Sequence, residues 1–87
     1  MVSKEFVVKN PTGIHARPAS LLVQMCTPLT DEITFITDTG KKVNPKSIIS
    51  VLTGGMSKGV KITIEVTGDN EVETLDKIYN FLDGLTE

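Results

Sequence analysis

His15 is the only histidine of the chain, and Arg17 and Pro18 follow it closely, just after the turn former Gly13. Proline fits the first turn of a helix, where its missing N–H costs nothing, so the three residues crowd at a helix start. A helix N-terminus presents unpaired N–H groups and a partial positive charge. That environment favours a neutral imidazole over imidazolium, and a neutral imidazole is a nucleophile near neutral pH. The same N–H groups can receive the anion that the ring acquires on taking a phosphoryl group. Arg17 adds a guanidinium fork suited to phosphate oxygens. A lone histidine is more often a packing or surface residue, and a lone arginine a solvated one. Packing does not explain the three together.

Other chemistries fit less well. One histidine and one cysteine cannot supply the usual zinc ligand set, so no metal or other cofactor is expected. Cys26 lies on an apolar stripe and reads as a core thiol. The loop Gly54-Gly55-Met56-Ser57-Lys58-Gly59 is rich in glycine but lacks the Gly-Lys-Ser/Thr ending of a P-loop, and reads as a helix stop and turn. Asn10-Pro11-Thr12 is no glycosylation acceptor, because proline fills its middle position.

Seven short elements position these residues. Phe6 and Val8 alternate with Val7 and Lys9 as a strand, which Asn10-Pro11-Thr12-Gly13 breaks. From Pro18, the residues Ala19, Leu22, Val23 and Cys26 recur at helical spacing until Pro28. Ile33 to Thr37 and Val43 mark two strands joined by a hairpin turn at Asp38-Thr39-Gly40. Ser47 is placed to cap a short helix over Ile48 to Leu52, with Gly54-Gly55 beyond its end. Val60 to Thr67 alternates strictly and is the clearest strand. Val72, Leu75, Tyr79 and Leu82 form a last helical stripe, widened by Ile78 and Leu85. Asn70 with Glu73 is expected to form a capping box at its start, and Gly84 to close it. The order is β-α-β-β-α-β-α. Each strand has one apolar and one mainly polar face, which predicts an open sheet with helices on one side.

In the short helix over Ile48 to Leu52, Val51 is expected to face inward. Ile48, Ile49 and Leu52 cannot all do so in two turns, and with Leu21 they are expected to form an exposed apolar patch near His15. Such patches commonly mark partner sites.

Eighty-seven residues suffice for one modest core, so residues 1–87 read as a single domain. Nine basic against eleven acidic residues give a net charge of −2, which argues against direct binding of nucleic acid. No apolar run is long enough for a transmembrane helix, and no signal peptide is visible. The single cysteine excludes an internal disulfide and fits a reducing cytoplasm.

The segment Gly13-Ile14-His15-Ala16-Arg17-Pro18-Ala19 resembles the active-site motif of HPr, the histidine-containing phosphocarrier family of the bacterial phosphoenolpyruvate-dependent sugar phosphotransferase system. Val43-Asn44 through Lys46-Ser47-Ile48 resembles the family's regulatory serine segment, and Gly55 and Lys58-Gly59 also fit. The likeness in length and element order runs along essentially the whole chain. It implies an α+β, open-faced β-sandwich: a four-stranded antiparallel sheet with three helices on one face. It also implies that His15 accepts a phosphoryl group on Nδ1 from phosphorylated enzyme I and passes it to enzyme II A-domains, with Arg17 steadying the group. Ser47 matches the serine modified by HPr kinase/phosphorylase in some bacteria. Leu21, Ile48, Ile49 and Leu52 fall in the region that docks enzyme I, the A-domains and, after serine phosphorylation, a catabolite control repressor. A monomer is the natural form for such a shuttle.

The chain departs from the family pattern in three places. The hairpin around Thr37 to Lys42 is one residue longer than usual, Pro45 stands where an aliphatic residue is common, and Gly54 often gives way to leucine. The last change is expected to loosen the end of the short helix. Three rival readings remain: a purely regulatory HPr-like protein, a carrier in the nitrogen-related branch, and a small hydrolase. Regulatory family members of that kind lack the active-site histidine, so His15 weighs against the first.

Overall fold

A computed structural model describes all residues, 1–87. The elements follow the expected order: β1 (Val2–Val7), α1 (Ala16–Cys26), β2 (Glu32–Thr37), β3 (Lys42–Val43), α2 (Ile48–Leu52), β4 (Lys61–Thr67) and α3 (Glu71–Asp83). The four strands form one antiparallel sheet in the order β1-β4-β2-β3. β4 therefore pairs on both sides, and its side chains alternate between the two faces of the sheet. Ile62, Ile64 and Val66 are fully buried toward the helices, whereas Lys61, Thr63, Glu65 and Thr67 line the open face. The fold is the open-faced α+β sandwich that the family resemblance implies.

Seventeen buried apolar side chains form one continuous cluster between sheet and helices. α3 packs against β1 and β4, and α1 against α2. At the sheet edge, Phe6 meets Tyr79 edge-to-face with ring centroids 5.5 Å apart. The Lys4 ammonium lies over the same tyrosine ring at 3.9 Å.

α1 runs from the His15 cap to Thr27, whose N–H and hydroxyl both return to the Val23 carbonyl before Pro28 ends the helix. Its buried residues include Ala19, Leu22 and Cys26 from the expected stripe. α3 differs from expectation at its start. Asn70 occupies the cap position, but its side chain makes no capping bond, so there is no capping box with Glu73. The buried carboxylate of Asp31 takes that role from across the fold, accepting from Thr74 Oγ1 at 2.8 Å and, at the limit of a hydrogen bond, from the Asn70 N–H. Val72 is 60% exposed and lies off the stripe, because the buried face runs through Thr74, Leu75, Ile78 and Leu82.

Gly54 also departs from expectation. A Cβ there would lie 2.7 Å from Val43 Cγ2 and 3.2 Å from the Ser50 carbonyl. The glycine lets the end of α2 seat tightly on β3 and does not loosen it; a leucine would force the two apart.

Candidate functional site

The loop between β1 and α1 is held at several points before it reaches His15. Val8 exchanges main-chain hydrogen bonds with Val60 and Gly59. Gly13 has φ +70°, and a Cβ on it would lie 2.7 Å from the Met56 carbonyl oxygen and 2.9 Å from Ser57 Cα. Only glycine satisfies both conditions. Ile14 is fully buried, and its N–H donates to the Met56 carbonyl at 2.9 Å. The loop after α2 is thereby fixed beside the residue that precedes the histidine.

His15 is the N-cap of α1, with extended backbone and no side-chain capping bond. Its ring is half-buried and makes no hydrogen bond within the protein, so both ring nitrogens remain available. The N–H groups of Ala16 and Arg17 have no acceptor within the protein, and Pro18 has none to offer; the first intrahelical bond, from Ala19 to the His15 carbonyl, is 3.4 Å long. Ala16 adopts φ +50°, the only non-glycine residue with positive φ. Such a conformation costs about 1–3 kcal/mol and persists only where its surroundings impose it. None of the surface depressions lies at His15, so the ring stands on an open surface without a cage. The arrangement suits a nucleophile that receives and gives up a group to large partners.

Arg17 is on the same first turn, 75% exposed, and its Nη1 faces Glu87 Oε1 at 3.5 Å. Sequence reasoning places Arg17 toward a phosphoryl group; the chain supplies a carboxylate at that guanidinium. Glu87 is itself held by the loop between β1 and α1, its main-chain oxygen accepting from the Thr12 N–H, the Thr12 hydroxyl and Asn10 Nδ2. Neither Asn10, Thr12 nor Glu87 is identifiable as a site residue from the sequence. Asn10 stands inside a turn signal that accounts for it without any contact.

Ser47 caps α2, its hydroxyl accepting from the Ser50 N–H at 3.3 Å. Val51 is the only buried residue of α2, whereas Ile48, Ile49 and Leu52 are exposed, Ile49 to 73%; Leu21 on α1 is exposed as well. All four expected residues are thus on the surface, on two helices that pack against each other. Lys46, just before the cap, is drawn inward, and its ammonium donates to the carbonyls of Leu29 and Asp31. Cys26 is a buried thiol, as its stripe position implies. Burial pushes its pKa up to about 11, against a smaller downward pull from the Lys46 charge.

The family model for the phosphorylation-site component HPr of the phosphotransferase system matches residues 2–83. The chain belongs to the HPr family of phosphocarrier proteins. Among individual relatives, it is 41% identical to the HPr-like protein Crh of Halalkalibacterium halodurans over 95% of this chain and 98% of that one. The structure of phosphocarrier protein HPr from Bacillus anthracis superposes with a TM-score of 0.85 at 34% identity, covering 92% of this chain and 94% of its own. The catabolite repression protein Crh of Bacillus subtilis, described as a swapped dimer, gives a TM-score of 0.74 at 34% identity, over 100% and 99% of the two chains. No helix of the chain is long and apolar enough to cross a membrane.

Proposed function

We propose that the chain carries phosphoryl groups in the sugar phosphotransferase system, with His15 as the acceptor. The lone pair of His15 Nδ1 attacks the phosphorus held by phosphorylated enzyme I, a P–N bond forms, and the donor's bond to phosphorus breaks. An enzyme II A-domain then removes the group by the same displacement. The observation that carries this reading is His15 at the cap of α1, its ring unbonded and the Ala16 and Arg17 N–H groups free beside it. Those donors offer hydrogen bonds to phosphoryl oxygens without enclosing them. Arg17 supplies the mobile charge once it leaves Glu87. Leu21, Ile48, Ile49 and Leu52 form the docking surface for both partners. The protein works as a cytoplasmic monomer.

Ser47 adds a regulatory layer, as the substrate of an HPr kinase/phosphorylase and, once modified, part of the surface offered to a catabolite control repressor. The likeness to proteins named Crh favours that layer. It also raises a second reading, of a regulator without carrier activity. His15 favours the carrier.

The test is incubation with phosphoenolpyruvate and enzyme I. The wild-type chain is expected to take one phosphoryl group, and His15→Ala to take none while keeping its circular dichroism spectrum. Substantial phosphorylation of the variant would overturn the assignment of His15. A folded wild-type chain that accepts nothing would leave the regulatory reading.

A further inference from the structure

Asn10 is the buried polar side chain of the loop that leads into His15, only 2% exposed. A buried amide is costly unless its donors find acceptors. Here Nδ2 donates to the Gly13 carbonyl at 2.7 Å and to the Glu87 main-chain oxygen at 3.2 Å. The Asn10 main-chain carbonyl in turn accepts from the Gly13 N–H at 3.1 Å. The Gly13 carbonyl and the Ile14 N–H are opposite ends of one planar peptide unit. Asn10 holds the first end by the shorter of the two bonds it accepts, the other coming from the Thr12 hydroxyl at 3.4 Å, and the Met56 carbonyl holds the second at 2.9 Å. With both ends fixed, the plane cannot rotate, and its orientation sets the direction in which the chain enters His15. Directly after His15, Ala16 sits at φ +50°, where alanine stays only if its neighbours hold it.

We propose that Asn10 is a positioning residue for phosphoryl acceptance: its amide fixes the Gly13–Ile14 peptide plane, which sets where the His15 ring stands relative to the free N–H groups of α1. Asn10 touches neither the ring nor the incoming phosphorus. It acts through two residues of backbone, and through Glu87 it ties the same loop to the segment that follows α3. The inference rests on the carrier reading above.

Asn10→Ala is the variant to measure, as a substrate of enzyme I and well below its melting temperature. kcat is expected to fall about tenfold, since misplacement of a reacting group by an ångström or less has effects of this order. KM for the variant is expected to hold, because the patch on α1 and α2 is untouched. Asn10→Ala/Ala16→Gly is expected to recover most of the loss, because glycine takes φ +50° without being forced. A residue that only adds stability would lower the melting temperature and leave kcat of the folded protein alone. The three-bond HN–Hα coupling of Ala16, read by NMR without any partner, is expected to change in Asn10→Ala. If that variant does not fold, Asn10→Asp keeps the shape and turns the donor into an acceptor, with the same expectations. A folded variant with wild-type kcat and an unchanged Ala16 coupling would overturn the proposal. If the wild-type chain takes no phosphoryl group, the carrier reading fails, and the Ala16 coupling alone decides the role of Asn10.

Discussion

Arg17 and Glu87 face each other at 3.5 Å with both side chains largely in water. Such a pair contributes about 0–1 kcal/mol, so the guanidinium can leave it for a phosphoryl group at little cost. Arg17→Ala is therefore expected to slow His15 phosphorylation about tenfold, less than the loss of a buried oxyanion donor, because the main-chain donors stay. Its melting temperature is expected to stay near that of the wild type. A rate equal to the wild type would remove Arg17 from the reaction. Cys26 gives a pH prediction. Its thiol has a folded pKa of about 11 against an ordinary 9.0. Between those values the unfolded chain releases a proton that the folded chain keeps, so stability falls as pH rises through that window and the thiol costs nothing below it. The fall amounts to about 2–3 kcal/mol. Urea denaturation of the wild type and Cys26→Ala on both sides of the window is expected to show a smaller loss in the variant. At this scale the sequence reveals residues whose meaning is local. His15, Arg17 and Pro18 declare a helix start by type and spacing. Asn10 does not declare itself, because its partner Glu87 is 77 positions away.

α2 has five residues, too few to be stable alone, and depends on its cap and on Val51. Ser47→Ala is expected to cost about 1 kcal/mol through the lost bond to the Ser50 N–H. Ser47→Asp keeps an acceptor and adds charge at a helix start, so it is expected to melt at or slightly above the wild-type temperature. On the proposed carrier reading, enzyme I brings a phosphorylated, negative site to the neighbouring patch, so the same variant is expected to take phosphate more slowly. A melting curve and a transfer rate on one sample check both. A large drop in melting temperature would make Ser47 mainly a cap, and an unchanged rate would put docking elsewhere. α2 was legible because its signals lie within a few residues of each other. The start of α3 was not. Asn70 and Glu73 have the spacing of a capping box, yet the capping carboxylate comes from Asp31, 39 residues before Asn70. A local pattern cannot weigh a competitor that only the fold brings near.

Asp31 joins the start of β2 to the first turn of α3, and it is buried with its carboxylate shared between Thr74 and Asn70. Asp31→Ala leaves those donors without a partner, at about 1–3 kcal/mol. Each kcal/mol moves the melting temperature of a domain this size by about 4–8 °C. The expected outcome is a clear drop in melting temperature, with the His15 transfer rate of the folded protein unchanged. A slower transfer would mean that this end of the fold reaches the loop that carries His15. Strand polarity and the helix side of the sheet were legible from alternation, which is a property of each strand alone. Strand order was not, since Ile62, Ile64 and Val66 would look the same in an edge strand. The order β1-β4-β2-β3 has a further consequence for the chain as it leaves the ribosome. β1 is made first and has no neighbour until residues 61–67 exist, and β2 has only the two-residue β3. Residues 2–67 must all be synthesised before the sheet can close. The nascent chain therefore carries β1, and the loop that leads from it to His15, without their partners at residues 56–67 until β4 has emerged.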